Sequence, residues 1–347
     1  MGPTGDAVNV IQIHPTLRCN LRCQHCYSTS GPERTGALEI GALLRFLTGA
    51  RHEGFNAVGL SGGEPLMYRP LPHLLEAARG LGFVTTVTTN GIPLTQRWIG
   101  RLAPHVSLIA ISLDGAPESH DRMRGQPGAF QKMRQRLADL RAADIAFGFI
   151  FTLTLSNLDE LGWAAQFAAD EGACLLQIHP LERAGRARDF DLRPPDDLEL
   201  AYAFLEVVRL KERHPDLTFQ LDVADRSLVA REPCRAFAIS TPDPAAACAL
   251  PLAALVSPLV VQEDGYVVPV QHGFSRDFAI GHVDGGDFRT QAARWKRDRY
   301  AAFLELARTV WSDIGPAPDH LPFTNWYNAI TARSSAGFTP SVSPSSA

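Results

Sequence analysis

The sequence predicts an α/β protein built on a parallel sheet, and three observations carry that expectation. Between about residues 8 and 212, six segments rich in Val, Ile, Leu, Phe and Thr alternate with six segments whose apolar residues recur at helical spacing. Such alternation produces parallel strands joined by right-handed crossovers. The unusual residues fall at or just after the strand segments: the cysteine loop, Gly62-Gly63-Glu64-Pro65, Thr88-Thr89-Asn90, Ser112-Leu113-Asp114 and His179-Pro180. In parallel α/β folds those strand ends share one face, the face that carries chemistry. After about Arg213 the rhythm stops and Pro and Gly increase, which predicts a smaller second domain.

The first strand spans residues 8–13, where Val8, Val10 and Gln12 alternate with Asn9, Ile11 and Ile13. A cysteine loop follows, then a helical stripe of Ile40, Leu43, Leu44 and Leu47. Residues 58–60 form a short strand closed by Ser61-Gly62-Gly63-Glu64-Pro65. Leu71, Leu74, Leu75 and Ala78 mark the next helix. Residues 83–89, rich in Val and Thr, form a strand ending at Asn90-Gly91. A helix near 95–102 leads to a strand over 106–113, which ends in Asp114-Gly115. Phe130, Met133, Leu137 and Leu140 mark a helix, 145–155 a long apolar strand, and Leu158, Leu161, Ala165 and Ala168 another helix. A sixth strand covers 174–178, and Leu198, Ala201, Tyr202, Leu205 and Val208 close the series. Six units fall short of the eight of a closed barrel. Beyond them, short strands flank a turn at Glu263-Asp264-Gly265-Tyr266, and Phe303, Leu304, Ala307 and Val310 mark one late helix. From Ser334 onward Ser, Pro and Gly dominate, which predicts a disordered tail over 334–347.

Composition narrows the function. The chain has 347 residues, 45% hydrophobic and 20% charged, as an ordinary globular protein does. A formal charge of −4 lacks the basic footprint of a nucleic-acid binder. The N-terminus has no charged and apolar signal-peptide pattern. The longest uncharged stretch, 244–262, holds Pro244, Pro251 and Pro258, so no membrane helix is expected. Six cysteines, three of them clustered, point to metal binding in a reducing cytoplasm rather than to disulfides.

The cluster is Cys19-Asn-Leu-Arg-Cys23-Gln-His-Cys26, three thiols within eight residues. A structural zinc ion normally takes four protein ligands, and an iron–sulfur cube four thiolates. Three thiolates on a cube leave one iron open to a small molecule. The alternative is a zinc knuckle completed by His14 or His25. The C-x3-C-x2-C pattern resembles the signature of the radical S-adenosylmethionine (radical SAM) family. That resemblance implies a partial (βα)6, TIM-like barrel over about residues 6–212. It also implies that Cys19, Cys23 and Cys26 hold a 4Fe-4S cluster whose open iron chelates S-adenosylmethionine. One electron then breaks a carbon–sulfur bond, and the 5′-deoxyadenosyl radical abstracts a substrate hydrogen.

Further motifs extend the resemblance. Gly62-Gly63-Glu64-Pro65 matches the family's GGEP motif, whose glycines let backbone approach a ligand and whose carboxylate can accept from the S-adenosylmethionine ammonium. Asn90 stands where the family places a contact to the ribose or methionine part. Ser112, in Ile-Ser-Leu-Asp-Gly, and Arg124 resemble the pair that binds the S-adenosylmethionine carboxylate in peptide-modifying relatives. Asp114 and Arg122 are expected to be a cap and a surface charge. His25 would lie near the adenine or be a loop histidine bonded to backbone. His179, ahead of Gly185-Arg186-Ala187, would face the adenine or the substrate, or be a buried hydrogen-bonded histidine. No residue is singled out as the catalytic acid, base or hydrogen donor.

Of the remaining cysteines, Cys174 is expected to be a core thiol. Cys234 and Cys248 stand where SPASM or twitch domains begin to bind auxiliary clusters, but Val270 occupies the place of a further cysteine. His272 could substitute for it; a clusterless α+β docking domain over 213–333 is the favoured expectation. The resemblance leans towards maturation of a ribosomally made peptide, with modification of a small-molecule precursor as the alternative. A non-catalytic metal-binding scaffold is the reading from another class. The expected partners are a peptide or small-molecule substrate and an external flavodoxin- or ferredoxin-like electron donor. Because the first strand begins near residue 8, no N-terminal leader-recognition domain is expected, which either argues against peptide capture or assigns it to a separate leader-peptide-binding protein; no nucleic acid or membrane partner is expected.

Overall fold

The computed structural model describes residues 8–236, 239–314 and 322–336. Seven strands run parallel and in sequence order: β1 (Val10–Ile13), β2 (Ala57–Leu60), β3 (Val84–Thr89), β4 (Leu108–Leu113), β5 (Phe147–Leu153), β6 (Leu175–Pro180) and β7 (Thr218–Leu221). The crossovers carry α1 (Ile40–His52), α2 (Leu71–Gly80), α3 (Gln96–Leu102), α4 (Pro117–Arg124), α5 (Ala129–Ala142), α6 (Leu161–Asp170) and α7 (Asp197–Arg213). The apolar stripes explain the layers: Leu43 and Leu47 of α1 and Leu74 and Leu75 of α2 are fully buried against the sheet. Each such side chain contributes roughly 1.5–3 kcal/mol of burial.

The chain does not leave the sheet after six units. β7 pairs with β6, aligning Thr218 with Leu175. Its four residues are too few, and too exposed at Thr218 and Gln220, for periodicity to reveal them. β8 (Ala224–Asp225) forms a separate short ladder with β12 (Phe323–Thr324). Between them, β9 (Leu259–Val261) returns to pair in parallel with β1. Antiparallel β10 (Tyr266–Pro269) and β11 (Gly281–His282) extend that edge, giving the order β11-β10-β9-β1-β2-β3-β4-β5-β6-β7. One buried apolar cluster runs from Ile11 through Val260 to Ile330.

Three sequence expectations are corrected. Leu198, Tyr202, Leu205 and Val208 of α7 are exposed, while Leu200, Ala203, Val207 and Leu210 face the core. Both stripes have helical spacing, and the outward one is the more apolar to the eye. Cys174 is exposed rather than a core thiol: it precedes β6 and bonds the Phe147 carbonyl at the rim. The last helix, Trp326–Ser335, includes Ser334 and Ser335, the first two residues of the expected tail. Ser334 is buried and accepts from the Ser275 amide; residues 337–347 of that tail lie outside the described residues. Among the described residues no helix is long and apolar enough to cross a membrane.

Candidate active site

The cysteine loop leaves β1 and lies across the C-terminal ends of the parallel strands. Its three thiols are free, Cys19 and Cys23 buried and Cys26 half-buried. Every sulfur has a hydrogen-bond partner: the Leu21 amide at Cys19 (3.4 Å), the Arg124 guanidinium at Cys23 (3.7 Å), and the Ser30 amide (3.4 Å) with the Ser28 hydroxyl (3.5 Å) at Cys26. Donors on sulfur are one means by which a protein sets a cluster's potential. Burial pushes the Cys19 thiol up to about 12, reinforced by the Glu64 carboxylate. Burial raises the Cys23 thiol as well, against the Arg124 charge. Both are protonated until a metal centre displaces the protons.

The loop is shaped by two glycine contacts. A Cβ on Gly63 would stand 2.4 Å from the Arg18 carbonyl, and the Gly63 amide donates to Thr16 at 2.9 Å. The Gly-Gly pair therefore seats the start of the loop on the end of β2. On the far side, a Cβ on Gly185 would meet the Tyr27 carbonyl at 2.2 Å. The Arg186 amide donates to Cys26 (2.9 Å), and its guanidinium donates to the carbonyls of Cys23 and Ser30 (2.7 and 2.5 Å). Gly185-Arg186 thus clamps the loop from β6, a role that sequence spacing gave no means of seeing.

Glu64 is fully enclosed. Its Oε1 accepts from the Leu66 amide and the Thr89 hydroxyl, and Oε2 from the Asn90 amide at 3.0 Å. A carboxylate has about four acceptor sites, so one on Oε2 is left for a ligand. Burial raises the Glu64 carboxyl to about 7 despite those three donors. Pro65 opens the short turn that Glu64 caps. Asn90 donates to the Asn20 side chain at 2.9 Å, which ties the end of β3 to the thiol loop.

Asp114, expected as a cap, is instead the electrostatic centre of the mouth. Its Oδ2 pairs with Arg124 Nε at 2.5 Å and His25 Nε2 at 3.3 Å, while its buried Oδ1 has no hydrogen-bond partner. Burial alone would raise its carboxyl, but the charges of Arg124 and His25 outweigh that and hold it well below the usual range. Arg124 itself is buried; Arg122 is exposed and bonds Ser119. Ser112 is half-buried two residues before Asp114 on β4. His179, at the end of β6, has Nδ1 3.1 Å from Asp222 and Nε2 3.3 Å from Glu182. Burial opposes its charge, but the two acids prevail and bring the imidazole up to about 10.

The donor set fits a multinuclear thiolate centre better than a zinc knuckle. Zinc–sulfur bonds of about 2.3 Å hold tetrahedral ligands about 3.8 Å apart. The described residues bring only His14, Glu263 and His272 together within 4.8 Å as a set of three metal-ligand side chains. The three sulfurs are thus spread wider than one zinc ion needs, and neither His14 nor His25 closes a compact set with them. The orphaned Asp114 Oδ1 and the unfilled acceptor site of Glu64 Oε2 lie at the same strand ends, where a polar ligand would be received.

These features define an α/β partial barrel with a three-thiol loop at its mouth. Residues 13–168 match the model of the radical SAM superfamily. It is 33% identical over 200 residues to the AdoMet-dependent heme synthase of Methanosarcina barkeri, covering 56% of each chain. It is 27% identical over 176 residues to the sporulation killing factor maturation protein SkfB of Bacillus subtilis, covering 50% of this chain and 43% of that one. The chain spans about half the length of the curated relatives it matches. In fold it is similar to Streptococcus suis SuiB bound to S-adenosylmethionine, with a TM-score of 0.62 at 15% identity, over 89% of this chain and 68% of that one.

Proposed function

We propose that this chain is a radical SAM enzyme. Cys19, Cys23 and Cys26 would hold one 4Fe-4S cluster, which when loaded supplies the electron that cleaves S-adenosylmethionine and so yields the radical that abstracts a substrate hydrogen. The observation that carries this reading is a single one. Three free, donor-met thiols lie on a loop pinned by Gly63 and Gly185-Arg186 over the ends of parallel strands. The chain's own residues bind and orient. Glu64 Oε2, with a single hydrogen bond, keeps an acceptor site for the ammonium group, and the orphaned Asp114 Oδ1 one for a second donor. Arg124 keeps that carboxylate charged and places a cation beside Cys23. His25, Asn90 and Ser112 complete the cofactor wall, with Gly62, Gly63 and Pro65 fixing its floor. His179, held charged between Asp222 and Glu182, presents a fixed cation at the β6 side of the mouth.

For the substrate, the Ser-Leu-Asp-Gly, Arg124 and Gly-Arg-Ala pattern favours a ribosomally made peptide in a cytoplasmic setting. The electron would come from a flavodoxin- or ferredoxin-like donor, and the leader would be presented by a separate binding protein. A small-molecule precursor is the second reading, favoured by the 33% likeness to a heme synthase. In this scheme residues 213–333 dock substrate without an auxiliary cluster. The test is anaerobic incubation with S-adenosylmethionine, dithionite and a deuterated peptide encoded beside the gene. Deuterium in 5′-deoxyadenosine and a mass change in the peptide support the first reading. Deuterium transfer only from an iron-porphyrin precursor would replace it with the second.

A further inference from the structure

Beside the thiol loop the structure gathers a second donor set. His14 follows β1, Glu263 follows β9 and His272 follows β10, and one ligand atom of each lies within 4.8 Å of the other two. Strand pairing fixes the first two as neighbours, with the His14 amide donating to Val261 at 2.9 Å. His272 arrives after Val270, whose φ of 71° is a left-handed conformation that a β-branched residue seldom adopts. There its Nε2 lies 2.8 Å from Glu263 Oε2, and its ring stacks on His14 with centroids 4.9 Å apart.

His14 makes the cluster more than an ion pair. It is completely buried, its Nε2 faces the Tyr27 hydroxyl at 3.4 Å, and its Nδ1 has no hydrogen-bond partner. A buried ring nitrogen without a partner is destabilising unless something occupies it. Burial, and then the neighbouring His272, push this imidazole down to about 3, so it is neutral with a lone pair to offer. Burial alone would raise Glu263, but the His272 hydrogen bond and charge bring it down to about 2. That leaves a ready carboxylate.

We infer that His14, Glu263 and His272 bind one divalent transition-metal ion beside the thiol loop and independently of it. The 2.8 Å between His272 Nε2 and Glu263 Oε2 need open only by a few tenths of an ångström to reach the roughly 3.0 Å between adjacent octahedral ligands, or the roughly 3.4 Å between tetrahedral ones, on bonds of about 2.1 Å. The two imidazole planes are 13° apart, and the broad χ2 torsion of histidine lets either ring turn its nitrogen to a common point. The ion takes the place of the proton between His272 and Glu263, which is released to solvent. Tyr27 would hold His14 Nε2 as an outer partner and fix Nδ1 as the ligand atom. Two imidazoles and one carboxylate suit iron(II) or zinc rather than magnesium or calcium, and leave coordination positions open.

Cobalt(II) titration of the full chain under anaerobic conditions tests the site, because thiolate ligation gives strong sulfur-to-cobalt charge-transfer bands and nitrogen–oxygen ligation does not. One cobalt per chain, without those bands, should bind the wild type and persist in the Cys19→Ser, Cys23→Ser, Cys26→Ser variant. His272→Ala and the near-isosteric Glu263→Gln should each weaken it about tenfold or more, with folding checked by far-ultraviolet circular dichroism. The inference is overturned if every bound cobalt shows thiolate bands and is lost with the cysteines. It is equally overturned if folded Glu263→Gln and His272→Ala bind as the wild type does. Because cobalt binding is read without S-adenosylmethionine or turnover, its failure would not bear on the radical reaction.

Discussion

Removing Arg124 should damage the mouth through Asp114. The two side chains are 8% and 0% exposed and meet at 2.5 Å. Arg124→Ala leaves a buried carboxylate whose Oδ1 already lacks a partner, with His25 on Oδ2 and His120 nearby. Breaking a buried pair by deleting one member costs about 3–5 kcal/mol, against about 5–15 kcal/mol for the stability of a whole domain. Arg124→Ala should therefore lower the urea midpoint of the metal-free chain steeply. Asp114→Ala should cost a comparable amount, since it strands the guanidinium. The double variant should be less unstable than the sum of the two by about 1–3 kcal/mol. Exposed Arg122→Ala is the control, within about 0.5 kcal/mol of wild type. The assay is tryptophan fluorescence in urea, with the slope checked to be common to all variants. A loss under about 1 kcal/mol for Arg124→Ala, or strict additivity, would refute the reasoning. In the loaded protein the same change removes a cation beside Cys23, so potentiometric titration should find the cluster harder to reduce.

Gly185→Ala should cut cluster content after reconstitution, because its Cβ would collide with the Tyr27 carbonyl at 2.2 Å; iron and sulfide assays read this. Arg186→Ala, which frees the Cys23 and Ser30 carbonyls, should speed cluster loss to a chelator. His179 is raised to about 10 from an unfolded value near 6.5, so its stabilising contribution is complete below about pH 6.5 and lost as pH rises through 10. Thermal melts should show that decline in wild type and a flatter profile in His179→Ala. Glu64 titrates near 7, so S-adenosylmethionine binding through its carboxylate should strengthen as pH rises through 7. Calorimetry of Glu64→Gln should find that dependence gone.

What the sequence made legible was whatever local spacing encodes. The βα alternation, the thiol loop and the strand-end motifs all depend on residues close together in the chain. What it hid depends on contacts between distant segments. Asp114 reads as a turn residue until Arg124 and His25 are seen on its oxygen. Arg186 looks like any surface arginine until it is found on carbonyls more than 150 residues away. β9 could not be assigned to the barrel edge because its partner, β1, lies 248 positions earlier at the Ile11–Leu259 pair. On α7 two stripes had equal helical spacing, and only packing tells which one the core receives.

The central claim is that three thiols on one loop hold the sole iron–sulfur cluster and that it cleaves S-adenosylmethionine. Acid-labile sulfide counts the cluster without counting any separate metal ion. It should be measured together with 5′-deoxyadenosine formed under dithionite, in wild type, in Cys19→Ala with Cys23→Ala and Cys26→Ala, and in Cys234→Ala with Cys248→Ala. About four sulfides per reconstituted wild-type chain, unchanged in the Cys234 and Cys248 variant, are expected for a single cube. The triple variant should lose both the sulfide and all 5′-deoxyadenosine. Sulfide near eight per chain, or 5′-deoxyadenosine from the triple variant, would contradict the account.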